Sequence, residues 1–261
     1  MARAAVAAFR AEAAFPGAAA ALAAAGQVEA GDPMSAHEPI LTPTDHKRIS
    51  AAVSAAEEGT TGEIVTILAE QSDDYHDVAL VWAGAAAVIA LTVIALLPDF
   101  YLGLFSALLG QWNVGWTAPH ALVLAALVAA LKFGSVWLIM LWRPLRLFLT
   151  PPPVKHARVR NRAIAAFRIG ADRRTQGRTG ILIYLSMAEH RAEIVADEAI
   201  ASRIAPEAWG DAMAAMLADL KAGRTADGMI AAIGQIGAIL AEHLPGDADN
   251  TNELPDRLIE V

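Results

Sequence analysis

The sequence predicts an α/β fold: a three-layer α/β/α sandwich around a small mixed sheet, interrupted by a two-helix transmembrane hairpin. Three observations predict it. Two long uncharged apolar runs lie near the middle of the chain, and helix-like and strand-like segments alternate on both sides of them. The part before the first run is too short to bury a core by itself. We therefore expect both flanking parts to form one domain that contains the hairpin as an insertion.

Composition agrees with a chain that is partly dissolved in lipid. Of its 261 residues, 56% are hydrophobic, and the mean hydropathy is +0.41. The formal net charge of −8 argues against a nucleic-acid partner, because such proteins usually present a basic surface. The chain has no cysteine, which excludes disulfides, zinc–thiolate sites and cysteine nucleophiles.

The first 33 residues are mostly alanine, and three interpretations stay open. They could be a signal peptide with Arg3 at its basic end, although Arg10 and Glu12 interrupt the apolar part. They could be a disordered or marginally helical extension. They could also be an over-called start, with the true start at Met34. We treat 1–33 as an extension of one of the last two kinds.

Two segments are predicted to be transmembrane helices, at about 78–97 and 120–142. About 20 apolar residues are enough to cross roughly 30 Å of hydrocarbon. Aromatic residues near the ends, such as Trp82 and Trp142, are typical of the headgroup interface. The run between the two segments is too short to span and is expected to lie in the interface or fold back.

Lys132 lies inside the second predicted span. A cation at this depth is costly and by default marks function. The alternative is that the lysine reaches towards the interface, or pairs with a carbonyl or a neighbouring chain. No acidic residue lies inside either span, and this favours the alternative.

The basic residues predict the orientation in the membrane. The loop between the spans contains no Lys or Arg, whereas Arg143, Arg146 and four further basic residues follow the second span closely. The positive-inside rule then places this flank in the cytoplasm. We expect a multi-pass protein of the cell inner membrane, with the lipid bilayer as a partner and with the soluble domain and both termini cytoplasmic.

The soluble parts are predicted at 34–77 and 143–249, with a C-terminal tail at 250–261 that we expect to be irregular. In the first part, Thr42 or Thr44 caps a helix that Gly59 ends, and a buried strand covers 62–69. In the second part, a helix starts at the Pro151–Pro153 run, strands at 179–186 and 191–196 form a hairpin, and helices cover 206–222 and 226–243.

Several stretches together resemble the TPM domain family. They are LTPTD from Leu41, TGEIV from Thr61, GRTGILI from Gly177, AEIVAD from Ala192, Trp209, and NELPD from Asn252. The resemblance covers nearly all of 40–261 and implies an α/β/α sandwich. It also implies one of two kinds of role. Some relatives are weak acid phosphatases or calcium binders, and others assist the assembly, repair or modulation of membrane complexes.

The sequence departs from the family at one informative place. Many members have Asp-Asn before the glycine that opens the second strand, and this pair resembles a contributor to a metal site. Here Arg178 and Thr179 precede Gly180. An arginine repels a cation and cannot bind one. The metal and phosphatase roles that the resemblance implies are weakened accordingly.

Carboxylates follow two predicted strands, and they are the candidate site. Asp73 and Asp74 come after the first strand, and Asp197 and Glu198 come after the third. If those strands run the same way, the four side chains would converge on a Ca²⁺ or Mg²⁺ ion, with Asp73 or Asp74 as the catalytic group of a phosphatase. The alternative is that Asp73 and Asp74 are solvated and that Asp197 caps a helix. His156 and His190 lack metal-ligand spacing and are expected to be solvated.

The sequence is compatible with two functions. The first is a non-catalytic, membrane-anchored module that helps to assemble, stabilise or modulate a membrane protein complex. The second is a divalent-metal-dependent phosphatase. No cofactor is certain.

Overall fold

The computed structural model describes residues 7–12, 40–108, 115–170, 179–246 and 256–261. Most of the predicted extension at 1–33, together with Arg178, lies outside these ranges. The chain divides into two compact units. The first consists of Met1–Asp73 and Pro152–Val261, and the second is Asp74–Pro151.

The first unit contains five strands and five helices among the described residues. The strands are β1 (Ala7–Glu12), β2 (Glu63–Ala69), β3 (Gly180–Ser186), β4 (Arg191–Ala196) and β5 (Ile259–Glu260). The helices are α1 (Pro43–Glu57), α6 (Pro152–Gly170), α7 (Glu198–Ala201), α8 (Pro206–Lys221) and α9 (Thr225–His243).

The strands form one mixed sheet in the order β1-β4-β3-β2-β5. β2 pairs parallel with β3 and β5, whereas β4 pairs antiparallel with β3 and β1. The parallel pair β2–β3 needs a crossover connection that contains a helix, and α6 supplies it. The small mixed sheet predicted from the sequence is confirmed.

Each face of the sheet carries its own hydrophobic core. On one face, α1, α8 and α9 cover the strands, with Trp209 and Ile236 fully buried. On the other face, α6 places Val159, Ala163 and Phe167 against the strands. β2 and β3 therefore bury both faces, which explains why their sequences are nearly continuous apolar runs. Helices on both faces make the predicted three-layer sandwich.

Local sequence signals position these elements as predicted. The Thr42 side chain accepts a hydrogen bond from Asp45 N at 3.2 Å and caps α1, while Thr44 lies inside the helix. Gly59, just beyond the helix, has φ +88°, a conformation that favours glycine. In the β3–β4 hairpin turn, His190 N donates to Met187 O at 3.2 Å.

Two strands were not predicted. β1 pairs with β4 from Ala7↔Ala196 to Glu12↔Arg191, so the expectation of a disordered or marginally helical extension is wrong for these residues. β5 adds to β2 through Ile67↔Ile259, so the irregular tail is wrong for its last residues. Alanine has little preference for strands, and a two-residue strand has no periodicity to detect. In both cases, pairing with a distant strand makes the element.

The second unit contains α2 (His76–Leu96), α3 (Pro98–Leu108), α4 (Ala118–Ile139) and α5 (Arg143–Leu149). α2 and α4 are long and apolar enough to cross a membrane, and their apolar windows are 17% and 0% buried. A core helix of a soluble protein is mostly covered by the rest of its chain, and these two helices are not. α3 occupies part of the run that was expected to lie in the interface or fold back.

Candidate functional site

The predicted convergence of four carboxylates does not occur, because β2 and β4 run in opposite directions. β3 lies between them, parallel to β2 and antiparallel to β4. The carboxyl ends of β2 and β4 therefore lie at opposite ends of the sheet, and Asp73 and Asp197 are separated by its length. The prediction that they share one metal site is wrong.

Two of the four carboxylates, those of Asp73 and Asp197, have structural partners instead. Asp73 forms an ion pair with Arg158 at 2.9 Å. Asp197 is buried, and its Oδ2 accepts a hydrogen bond from Gly180 N at 3.2 Å. Asp197 is the N-cap residue of α7, as predicted, but its side chain does not cap that helix. Glu198 is exposed in the first turn of α7, and Asp74 belongs to the second unit.

These residues do not fit a divalent cation. Ca²⁺ takes six to eight oxygen ligands around one point, and Mg²⁺ takes six. Within the described ranges, no three His, Asp or Glu side chains gather closely enough to hold a metal ion. We therefore derive no chemistry through a metal.

A different polar cluster lies where β2 and β3 end, and we call it the strand-end cluster: Ser72, Tyr184, Ser186 and Glu189. The Glu189 carboxylate accepts hydrogen bonds from Ser72 N at 3.0 and 3.2 Å, and a further one from Ser186 Oγ. Ser72 Oγ donates to Ser186 Oγ at 2.9 Å and lies 3.1 Å from Tyr184 OH. The cluster ties the loop after β2 to the β3–β4 turn.

The strand-end cluster is built for stability more than for catalysis. Tyr184, Ser186 and Glu189 are all buried, with Ser186 completely inaccessible. A nucleophile must reach its substrate, and Ser186 Oγ cannot do so. Burial raises the pKa of the Tyr184 phenol, so the hydroxyl keeps its proton at neutral pH. Buried polar groups that are mutually satisfied fix one conformation of the chain.

Basic side chains surround this cluster. The pKa of Lys155 is lowered mainly by burial and, to a smaller extent, by the nearby Arg191 guanidinium. The pKa of His190 is lowered mainly by burial and, to a smaller extent, by the positive charge of Lys155, and this favours a neutral imidazole. His156 Nδ1 lies 3.4 Å from Glu193 Oε1. The prediction that both histidines are solvated is wrong, since both are partly buried.

Sequence reasoning missed the polar face of β4. Arg191 and Glu193 are buried on the α6 side of the sheet, whereas Ala192 and Ile194 face the larger core. The alternation of charged and apolar residues in RAEI was the available signal. We did not expect a face covered by a helix to carry charges.

In the second unit, the predicted interface residues have defined neighbours. Trp82 Nε1 donates to Leu149 O at 3.3 Å, and Trp142 is the N-cap of α5. Arg143 is exposed, whereas Arg146 is buried and donates to His76 Nδ1 at 3.3 Å. Lys132 is exposed on α4.

Fold and site together define a class: an α/β/α sandwich, interrupted by two long apolar helices, without a recognisable catalytic centre in its described residues. Residues 151–239 match the model of the TPM domain family, whose short label is TPM phosphatase. This match confirms the predicted resemblance to the family over these residues.

A solved structure shares the fold. The BA42 protein from the psychrophilic bacterium Bizionia argentinensis, determined by NMR, aligns with a TM-score of 0.50 at 18% sequence identity. The alignment covers 87% of this chain and 100% of that one. No curated protein matches the chain.

Proposed function

We propose that this TPM domain protein is a non-catalytic module, anchored in the membrane by α2 and α4, that associates with another membrane protein and helps to assemble, stabilise or modulate its complex. In this proposal it is a multi-pass protein of the inner membrane with a cytoplasmic TPM domain. The apolar helices support the anchor. The basic flank that contains Arg143 supports the orientation.

The proposed association with a partner is supported mainly by Lys132. Its side chain is exposed on α4, about 10 Å from the helix end at 1.5 Å per residue. No carboxylate pairs with it in the described part of the chain. The predicted spans at 78–97 and 120–142 contain none, and Asp77 lies in the first turn of α2. Intramembrane cations usually pair with another polar group. A carboxylate on a transmembrane helix of another protein would pair with Lys132. We therefore expect the partner to be a second membrane protein.

A metal-dependent phosphatase has less support. The name of the family points to it, but Asp73 and Asp197 lie at opposite ends of the sheet and have other partners. The strand-end cluster does not replace them, because Tyr184 and Ser186 are buried and the hydroxyl group of the partly buried Ser72 is hydrogen-bonded to Ser186.

Orientation can be tested directly because the chain has no native cysteine. We expect Gly115→Cys, between the spans, to react with a membrane-impermeant maleimide in intact cells. Ser202→Cys, in the TPM domain, should react only after lysis. The reverse pattern would contradict the cytoplasmic domain. Extraction of the unmodified protein by alkaline carbonate would contradict the anchor itself.

The intramembrane partner can be tested with a synthetic span. A labelled poly-leucine helix carrying one Glu at the depth of Lys132 is added to vesicles that contain the full-length protein, and energy transfer reports association. We expect the Glu peptide to associate about tenfold more strongly than its all-Leu counterpart, as 1–2 kcal/mol allows. Lys132→Met should remove this preference. Ser135→Ala, an exposed neighbour on the same helix, should keep it. Equal association of both peptides would contradict the role of Lys132.

A further inference from the structure

A groove of about 300 Å³ lies between α6 and the β2–β5 edge of the sheet. Its walls are mainly apolar and include Val65, Ile67, Leu182, Phe167, Ile169 and Ile259. The volume is at the lower end of the range for small-molecule sites, which are also mostly apolar with a few polar groups. Tyr184 of the strand-end cluster also lines the groove.

The base of the groove is formed by buried side chains such as Leu182 and Phe167, whereas two apolar side chains at its rim are exposed. Among the described residues of the first unit, the large exposed hydrophobic side chains are Ile40, Ile169 and Val261. Ile169 is 80% exposed and Val261 is 54% exposed, and both line this groove. Exposed apolar side chains that meet at a concave surface mark a binding site for an apolar group.

A cation is present in the same lining. Arg162 is exposed, and it lines the groove together with Tyr184. No carboxylate in the described ranges pairs with Arg162. Along α6, Arg162 and Ile169 are about 10 Å apart at 1.5 Å per residue. The groove thus combines an unpaired positive charge with an apolar wall that extends one and a half to two helical turns beyond it.

We propose that this groove binds a single-chain anionic amphiphile, namely a fatty acid. The acyl chain lies along α6 towards Phe167 and Ile169, and the carboxylate pairs with Arg162. Guanidinium groups bind carboxylates through charge-assisted hydrogen bonds, so an anionic head group is favoured over a neutral or cationic one. A groove of this volume is too small for a two-chain lipid. The proposal does not depend on the membrane anchor.

The test uses the full-length protein in lipid nanodiscs and a dodecanoic acid probe that carries a photoreactive diazirine near its methyl end. After illumination, mass spectrometry locates the labelled peptides. We expect labelling of peptides that contain Phe167 or Ile169. The matching dodecanol probe should label them about tenfold less, as expected for the loss of one charge-assisted contact.

Three variants make the test specific. Arg162→Gln should lower labelling by the carboxylate probe about tenfold and leave labelling by the alcohol unchanged. Ala165→Phe, which fills the groove from its exposed side, should lower labelling by both probes. Arg160→Gln removes an exposed arginine of the same helix that does not line the groove, and it should change neither.

Three results would overturn the proposal. Labelling confined to α2 and α4 would show partition into lipid only. Equal labelling by both probes, or labelling that is indifferent to Arg162→Gln, would exclude recognition of the carboxylate. Labelling that appears only after deletion of residues 13–39 would show that this segment of the chain occupies the groove.

Discussion

Replacing Gly237 by Ala is expected to lower the free energy of unfolding of the TPM domain by about 1–3 kcal/mol, the usual cost of overpacking. Gly237 lies in α9 where that helix meets α1. A Cβ atom there would lie 2.7 Å from Ala56 Cβ and 3.0 Å from Ala56 Cα. A backbone atom cannot rotate away as a flexible side chain can, so the two helices must move apart.

Gly234 provides a matched control in the same helix. A Cβ atom at Gly234 would meet nothing within 4 Å. Since Ala favours helix over Gly, Gly234→Ala should raise the free energy of unfolding by up to about 1 kcal/mol. Pulse proteolysis of the full-length protein in a urea series measures both variants. If Gly237→Ala is as stable as Gly234→Ala, the close contact between α1 and α9 is not present.

The contrast between these glycines shows what a single sequence can predict. Local signals were sufficient for α1, because Thr42 and Pro43 define its start. They were also sufficient for the β3–β4 hairpin, because two short β-rich runs flank a turn. Local signals could not show that an added Cβ atom fits at Gly234 but not at Gly237. That difference depends on Ala56, which is far away in the sequence.

The prediction of a metal site was wrong, and the sequence already contained the reason. β3 and β4 form a hairpin and must be antiparallel. Asp73 could then approach Asp197 only if β2 were antiparallel to β3. The connection from β2 to β3 includes the helix α6, which is typical of a crossover between parallel strands. Combining these two rules would have placed the carboxylates at opposite ends of the sheet.

The strand-end cluster could not be predicted in the same way. Ser72 lies more than 100 positions before Ser186 and Glu189 and meets them only because β2 and β3 are neighbours. Serine and glutamate side chains are usually exposed, so their residue types gave no signal. Their burial depends on the α6 layer that covers this face.

Glu57 is expected to make the stability of the TPM domain depend on pH. It is the last residue of α1, and its Oε1 accepts a hydrogen bond from Ile64 N at 2.6 Å. Oε2 is buried and has no hydrogen-bond partner in the described part of the chain. The pKa of this carboxyl group is raised to about 8. Burial is the main cause, the hydrogen bond from Ile64 N opposes it, and the carboxylates of Glu63 and Asp256 add to it.

The direction of the pH effect follows from linkage. The carboxyl group has a pKa of 4.5 when it is free of these influences, so between 4.5 and about 8 the folded state holds a proton that the unfolded state has lost. The stabilisation from this proton is fully present below pH 4.5. It decreases as the pH rises through the window and is lost above about 8.

Glu57→Gln should remove this contribution. The amide oxygen still accepts the hydrogen bond from Ile64 N, and the side chain carries no charge at any pH. The variant should therefore gain stability relative to the unmodified protein as the pH rises, with the largest difference above pH 8. Glu58→Gln, the exposed neighbour, should run parallel to the unmodified protein. Urea unfolding across the window measures all three proteins, and a difference that stays constant with pH would show that Glu57 is ionised in the folded domain.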